Sequence, residues 1–407
     1  MWLGILLHPA RPWDFQPVGE DTPVALEADQ RDDWPSVCIL VPARNEAESL
    51  PWTLPALLTQ EYPGQLTVIV VDDRSEDATG EIARRMSQEF STEKPLAGKR
   101  LIVLSGAALP PGWVGKVWAL EQGAAVCGVE SPEAAFLHQH ADPKRLLNPD
   151  YLLLTDADIQ HAPRSVWRLV AESEQQGLAL NSRMARLRCV SKAEQLLIPA
   201  FVFFFNLLYP MRWVNNPHRG VAASAGGCVL LAASGLKKIG GFASIKNVII
   251  DDVNLARRVK DCQLPIRLAL SRSDVESIRI YDALSSIWIM VRRTAFTELD
   301  YSGLRLIGAV CGLGVLFLLP PMYVLLGIGL TVFGCGETSI QPGCLLAAAG
   351  LGALSVMAGV YRPAVRFFGL SAEWMWTLPL AGTLYGAMTL DSAIRYWTGK
   401  RIDWRDS

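Results

Sequence analysis

The sequence predicts an α/β protein in which a Rossmann-like, mostly parallel sheet carries the chemistry and C-terminal transmembrane helices follow it. Three observations predict this. Short β-branched or leucine-rich runs alternate with helically spaced segments, the pattern of βαβ units. Two of those runs stop abruptly in aspartates, Asp72-Asp73 and Asp156-x-Asp158. From Leu306 to Tyr361 the only charged residue is Glu337, in a stretch dominated by Leu, Gly, Ala and Val.

Whole-chain figures therefore average two unlike parts. Of 407 residues 50% are hydrophobic and 19% charged, and 38 Lys and Arg against 40 Asp and Glu leave a formal charge of −2. Such a chain can bury a large core, which excludes a disordered protein. It has no broad positive field to gather nucleic acid, so no nucleic-acid partner is expected.

Residues 1–35 read as a leader. The apolar start, 1–7, has neither a basic region nor a small-residue cleavage site and is not a signal peptide. It reads as the end of a longer anchor or a short membrane-associated segment. Residues 36–300 form the predicted catalytic block. Residues 37–42, bounded by prolines, are a buried parallel strand, and 43–58 are helically spaced. A second strand, 66–71, runs into Asp72-Asp73, and 77–86 is a helix. A third strand at 101–104, a helix at 118–127 and a fourth strand at 151–155 follow, the last running into Asp156. Residues 128–150 read as a surface excursion in which His138 and His140 are solvated rather than metal-bound. A single aspartate after a strand is usually a turn or cap. Two clusters at equivalent strand ends mark the crevice where ligands bind in such sheets.

Residues 301–407 are the predicted transmembrane region with a short basic tail. A hydrocarbon core of about 30 Å needs about 20 apolar helical residues, which 306–333 and 343–361 reach or approach. A third segment, 374–391, is borderline but has Trp374, Trp376 and Trp397 near its ends, as an interfacial belt would. Two further segments, 195–214 and 285–297, are aromatic but interrupted by Pro199, Asn206 and Pro210 or by Arg292 and Arg293. They read as interfacial, holding the catalytic block on the lipid bilayer. The charge bias of the connections alternates correctly until Arg395, Lys400, Arg401 and Arg405 follow the third segment. Either 374–391 is re-entrant, or 306–333 is a hairpin broken at Pro320-Pro321. The eight cysteines lack metal-ligand spacing, which favours free thiols and places the polar block in the cytoplasm.

Asp156 and Asp158 put two hard carboxylates at a sheet edge, where Mn2+ or Mg2+ could bridge them to a diphosphate. Val41-Pro42-Ala43-Arg44-Asn45-Glu46 offers a rigid turn that could shape a base pocket, with Arg44 or Glu46 in contact, or a plain strand-to-helix turn. Lys116, after Gly115, could neutralise phosphate or simply be solvated.

The ordered motifs V-P-A-R-N-E, V-D-D-R-S-x-D, G-K-x-W-A, T-D-A-D and G-G followed by D-D-x-x-L resemble the family 2 glycosyltransferases of GT-A fold. Within them the chain is most similar to the bacterial hopene-associated glycosyltransferases, over residues 37–299. The resemblance implies that Pro42, Arg44 and Glu46 contact the nucleotide, with Asp72 and Asp73 beside them and Asp73 reading the uracil edge. It implies Lys116 and Asp156 on the donor, Asp158 with Asp156 on the metal, and an acceptor segment starting at Gly226-Gly227. Asp252 falls where the family has its general base. Asp251 stands where Glu is commoner, so either aspartate can serve, with Asp252 favoured. Arg293 matches the arginine of Q-x-x-R-W, but Met290 and Thr294 replace its Gln and Trp. That departure argues against a processive polysaccharide synthase.

The expectation is therefore an inverting transfer of one sugar from a nucleotide sugar, a UDP sugar by preference, to a membrane lipid acceptor of hopanoid or polyprenyl type. The enzyme is expected to be multi-pass in the bacterial inner membrane with its catalytic block facing the cytoplasm. A non-catalytic scaffold or lipid-transfer protein is the other alternative, and the retained Asp158 and Asp252 speak against it.

Overall fold

Every residue of the strands starting at Val37, Leu66 and Tyr151 is buried, as parallel strands covered by helices on both faces must be. The structure is a computed structural model that describes residues 1–15, 17–19, 33–93, 98–129, 131, 146–333 and 337–399. Most of the 128–150 excursion, with His138 and His140, lies outside the described residues, as do Cys335, Lys400, Arg401 and Arg405. The elements run α1 (Trp2–Leu6), β1 (Val37–Ala43), α2 (Leu50–Leu58), β2 (Leu66–Asp72), α3 (Thr79–Glu93), β3 (Lys99–Ser105), α4 (Gly115–Val126), β4 (Tyr151–Thr155), β5 (Ile159–His161), α5 (Ser165–Gln176) and β6 (Leu180–Met184). They continue α6 (Lys192–Leu208), α7 (Met211–Val214), β7 (Cys228–Ala232), α8 (Ala233–Lys238), α9 (Asp251–Asp261), β8 (Ile266–Leu270), β9 (Val275–Ser277), α10 (Leu284–Thr294), α11 (Gly303–Leu313), α12 (Leu319–Phe333), α13 (Glu337–Phe367) and α14 (Leu378–Trp397). The chain forms two compact units that are not contiguous in sequence.

The sheet-bearing unit comprises Gln16–Leu187 and Trp213–Arg279. Its seven strands run in the order β3-β2-β1-β4-β7-β6-β8, all parallel to their neighbours except β7, which is antiparallel to β4 and β6. This is the GT-A arrangement expected from the motifs. Ile39, Val68, Val70 and Leu153 pack with Leu54, Leu57, Val166 and Val170 of the covering helices. Each such side chain contributes about 1.5–3 kcal/mol by leaving water. A separate two-stranded sheet pairs β5 with β9 in antiparallel register, Ile159 opposite Ser277. The helix predicted from residue 43 starts only at Leu50. Residues 44–47 are instead held in a turn, with Asn45 left-handed at φ 56.

The other unit comprises Met1–Phe15, Arg188–Arg212 and Ile280–Asp403. Thus 188–212 and 280–300, which the sequence grouped with the sheet, pack with the tail. Phe203 and Phe204 of α6 meet Tyr361, Phe317 and Tyr385 edge to face, at centroid distances of 5.0–5.5 Å. The Tyr385 hydroxyl donates to Leu197 O at 3.0 Å. Asp391 on α14 accepts from Trp288 Nε1 of α10 at 2.8 Å and pairs with Arg292 at 3.4 Å.

Gly303–Phe333 is one helix, with a π-helical stretch at Gly314–Leu318 immediately before Pro320-Pro321. Pro320 cannot donate to Leu316 O, which accepts from Trp2 Nε1 at 2.9 Å instead; the helix runs on through both prolines, so there is no hairpin at Pro320. Among the described residues three helical stretches are long and apolar enough to cross a membrane: Lys192–Val214, Gly303–Phe333 and Gln341–Phe367. The stretch 374–391, of which 378–391 lie in α14, is not one of them. At 1.5 Å per residue the last two are about 46 and 40 Å long, ample for a bilayer core. They pack through small residues: a Cβ on Gly327 would lie 2.4 Å from Ala347 N, and one on Gly350 would lie 2.8 Å from Pro320 O. Leu325, Leu326 and Phe333 on the first of them are 70%, 53% and 82% exposed, the apolar surface that lipid would cover.

Candidate active site

The loops after β1 and β2 are stitched together. Asn45 N donates to Ser75 Oγ at 3.1 Å, Glu46 N to Thr79 Oγ1 at 2.7 Å, Ala47 N to Asp77 Oδ2 at 3.1 Å, and Glu76 N to Asn45 Oδ1 at 2.8 Å. These bonds replace the first helical turn that periodicity predicted. They also fix Arg44, whose NH1 donates to Asp73 O at 3.2 Å and lies 3.9 Å from Asp73 Oδ2. Arg44 Nε is buried without a hydrogen-bond partner among the described residues. The paired aspartates divide their work: Asp72 Oδ1 accepts from Ser75 N at 3.1 Å and its Oδ2 faces Arg84 at 3.8 Å, so Asp72 shapes the turn into α3. Asp73 N continues the sheet to Ala43 O at 2.8 Å.

Beyond β4, Pro42, Lys116, Asp156, Gly226, Asp251 and Asp252 line one narrow crevice. Three supports place them: β4 ends at Thr155, α4 begins at Gly115, and α9 begins at Asp251. Lys116 Nζ lies 2.8 Å from Asp156 Oδ1 and 3.4 Å from Asp251 Oδ2. Burial works against its charge, but Asp156, Asp251 and Asp252 outweigh burial and hold the ammonium above the usual lysine range. Asp252 accepts from Gly226 N at Oδ2 and from Val253 N at Oδ1, both at 2.8 Å. Desolvation, reinforced by Asp251, pushes its carboxyl up to about 7 despite Lys116 and these bonds. Asp252 is thus oriented by two N–H donors and basic near neutral pH. For Asp156, burial and the neighbouring Asp158 and Asp251 also raise the pKa, against Lys116.

Asp158 stands just before β5 and is engaged from β9. Ser277 Oγ donates to its Oδ2 at 3.1 Å and Arg279 Nε to the same oxygen at 3.0 Å. Arg279 also donates to Glu46 Oε1 at 2.6 Å. Sequence reading missed Arg279, because the neighbouring strand Val275–Ser277 is only three residues long, too brief to assign a partner. The crevice unites Pro42, Lys116, Asp156, Asp251 and Asp252, while Arg44, Glu46 and Asp73 share the stitched loops. Arg293 lies on α10, in the other unit.

Carboxylates such as Asp156 and Asp158 suit Mn2+ or Mg2+, and an Mg2+ site made with a nucleotide takes only one or two of them, the rest being phosphate and water. Among the described residues no group of three or more His, Cys, Asp or Glu side chains could hold a metal ion. The donor set therefore fits an ion that arrives with a diphosphate rather than one held in an all-protein cage.

Comparison with known proteins shows to which family the chain is similar. Residues 38–127 match glycosyl transferase family 2 and residues 147–406 match glycosyl transferase family 21. A "Probable glycosyltransferase YdaM" of Bacillus subtilis is 39% identical over 72 residues, 16% of this chain and 17% of that protein. The 4,4'-diaponeurosporenoate glycosyltransferase of Staphylococcus haemolyticus is 24% identical over 252 residues, 61% of this chain and 57% of that protein. The chain thus spans less than two thirds of either relative. A solved mannosyltransferase from Pyrobaculum calidifontis, in complex with GDP-Man and Mn2+, superposes with a TM-score of 0.49 at 15% identity, covering 96% of this chain and 93% of that one.

Proposed function

Because the chain belongs to glycosyl transferase family 21, with a family 2 segment ahead of that match, we propose that it is a membrane-bound inverting glycosyltransferase. It moves one sugar from a nucleotide sugar, UDP-linked by preference, to a lipid acceptor of hopanoid or other polyprenyl-derived type. The observation that carries the reading is the crevice in which Asp252, made basic by its surroundings, stands with Lys116 and Asp156 at the carboxyl end of β4.

The acceptor hydroxyl enters the crevice and gives its proton to Asp252, which Gly226 N and Val253 N keep aimed. The acceptor oxygen forms a bond to the anomeric carbon as the bond from that carbon to the diphosphate oxygen breaks, which inverts the configuration. Lys116, held protonated, is the cation nearest Asp156 and offsets charge as the diphosphate leaves. Arg44, Glu46 and Asp73 form the base end of the donor site. When bound, Mn2+ or Mg2+ at Asp156 and Asp158 would supply further positive charge to the leaving diphosphate.

The long apolar helices and the relative named for 4,4'-diaponeurosporenoate support a lipid acceptor. Both ends of α6 lead into the sheet-bearing unit, at Leu187 and Trp213. A helix crossing the bilayer would leave that one unit on both sides of it, so α6 lies at the interface. Arg292, Arg293 and Arg305, before Gly303–Phe333 or at its start, support the reading that this end faces the cytoplasm at a bacterial inner membrane.

The test is incubation of the purified chain in lipid with a panel of radiolabelled nucleotide sugars, Mn2+ and bacterial lipid extract. Label should enter lipid with the wild-type chain and not with Asp252→Asn. Label in no lipid, or equal labelling by the variant, would sink the reading.

A further inference from the structure

A single guanidinium holds two carboxylates, Asp158 just before β5 and Glu46 in the loop after β1. Arg279 Nε donates to Asp158 Oδ2 at 3.0 Å, and its NH2 donates to Glu46 Oε1 at 2.6 Å. The pairing of β5 with β9 sets this up, because Ile278 N donates to Asp158 O at 3.0 Å and brings the next residue alongside the aspartate. Each carboxylate has a second support that does not depend on Arg279. Ser277 Oγ reaches Asp158 Oδ2 at 3.1 Å, and Ser49 Oγ reaches Glu46 Oε2 at 2.8 Å. Both can therefore keep their places when the arginine leaves. The Arg279 side chain is 40% exposed and has room to turn.

Resting on the nucleotide-sugar reading above, we propose that Arg279 is a latch that keeps a lone divalent cation off Asp158 and turns onto the donor's diphosphate when donor and cation arrive together. A cation bound at Asp158 Oδ2 would stand against the guanidinium, and like charges so close repel. Entry of the ion alone must therefore displace the guanidinium from Asp158 and supply no new anion in its place. A diphosphate changes that balance. Its oxygens accept the planar fork of N–H donors as carboxylates do, and often in bidentate fashion. The latch makes binding of cation and donor cooperative without any protein cage for the metal. Arg279 is thus a positioning residue for the cation and a binding residue for the donor.

The full chain in detergent is titrated with Mn2+ alone, followed by electron paramagnetic resonance, and then with UDP at saturating Mn2+. Loss of two partly exposed ion pairs corresponds to a change of about five- to tenfold. Arg279→Gln should bind Mn2+ alone tighter by about that factor and bind UDP more weakly by a similar one. Arg279→Lys, which keeps the charge and lacks the fork, should fall between on both. A static strut between β9 and the loop after β1 predicts the opposite first result, Mn2+ binding unchanged or weakened. Unaltered or weaker Mn2+ binding by Arg279→Gln, or undiminished UDP binding, overturns the latch while leaving the donor reading intact. A wild-type chain that binds no UDP with Mn2+ or Mg2+ overturns the donor reading itself, and the latch with it.

Discussion

The environment of Asp252 makes a directional prediction about pH. The perturbation is Asp251→Asn, which removes the like charge that ranks second to desolvation among the influences raising the Asp252 carboxyl. A general base must be ionised to act. With a pKa of about 7, Asp252 is about 10% ionised at pH 6 and about 90% at pH 8, so kcat/KM should rise about ninefold across that interval and then level off. Removing Asp251's charge eases ionisation, so the midpoint should move to lower pH and the plateau should extend downward. Lys116→Met should do the reverse, because the ammonium favours the charged carboxylate. Asp252→Asn should lose about 10²–10⁴-fold in rate at every pH, the usual contribution of a positioned base. The assay is initial-rate sugar transfer to lipid over about pH 5.5–8.5. A flat wild-type profile would refute the reasoning, and so would an Asp251→Asn midpoint that stayed put or rose.

Three further outcomes follow from other parts of the structure. His161, buried and bonded to Thr155 Oγ1 at 2.9 Å and Ser165 Oγ at 3.1 Å, has its pKa pushed down by burial to about 3. The unfolded chain takes up its proton near pH 6.5, so this contribution to stability is complete above that pH. It is lost at up to about 1.4 kcal/mol per pH unit on the way down toward 3; His161→Gln should flatten the acid slope of thermal melts. Gly226→Ala would put a methyl 3.1 Å from Lys116 Nζ and 3.4 Å from Asp252 Oδ2. Because the lysine tip can yield, transfer should fall about tenfold or more while the melting temperature changes by less than the equivalent of about 1 kcal/mol. Gly327→Val sets a side chain against the backbone of α13, where a Cβ would lie 2.4 Å from Ala347 N. It should cost about 1–3 kcal/mol or more, read as a lower unfolding midpoint in detergent.

Much of the site could be read locally. Asp156, Asp251, Asp252 and Lys116 were recognisable from short ordered motifs, and the structure gathers them into one crevice. Their neighbours Asp72 and Asp73 looked equivalent in sequence. The turn after β2 separates them, directing the first toward α3 and leaving the second beside Arg44. Arg279 had no local signature, because its meeting with Asp158 depends on two strands of three residues pairing across a long stretch of chain. The helix expected from residue 43 failed for a related reason. Side chains of a neighbouring loop satisfy the backbone of 45–47 better than a first helical turn would.

The sequence by itself determined the alternation of buried strands and helices, the aspartates at strand ends and the apolar tail, since each follows from residue type and spacing within a few turns of chain. Only the tertiary structure decided that 188–212 and 280–300 pack with that tail, and that the helix through Pro320-Pro321 stays unbroken. It also decided that Lys116 and Arg279 neutralise the two carboxylates of Asp156 and Asp158. Charge pairing and helix packing depend on which distant segments the chain crossings bring within a few ångströms. Periodicity carries no information about those crossings.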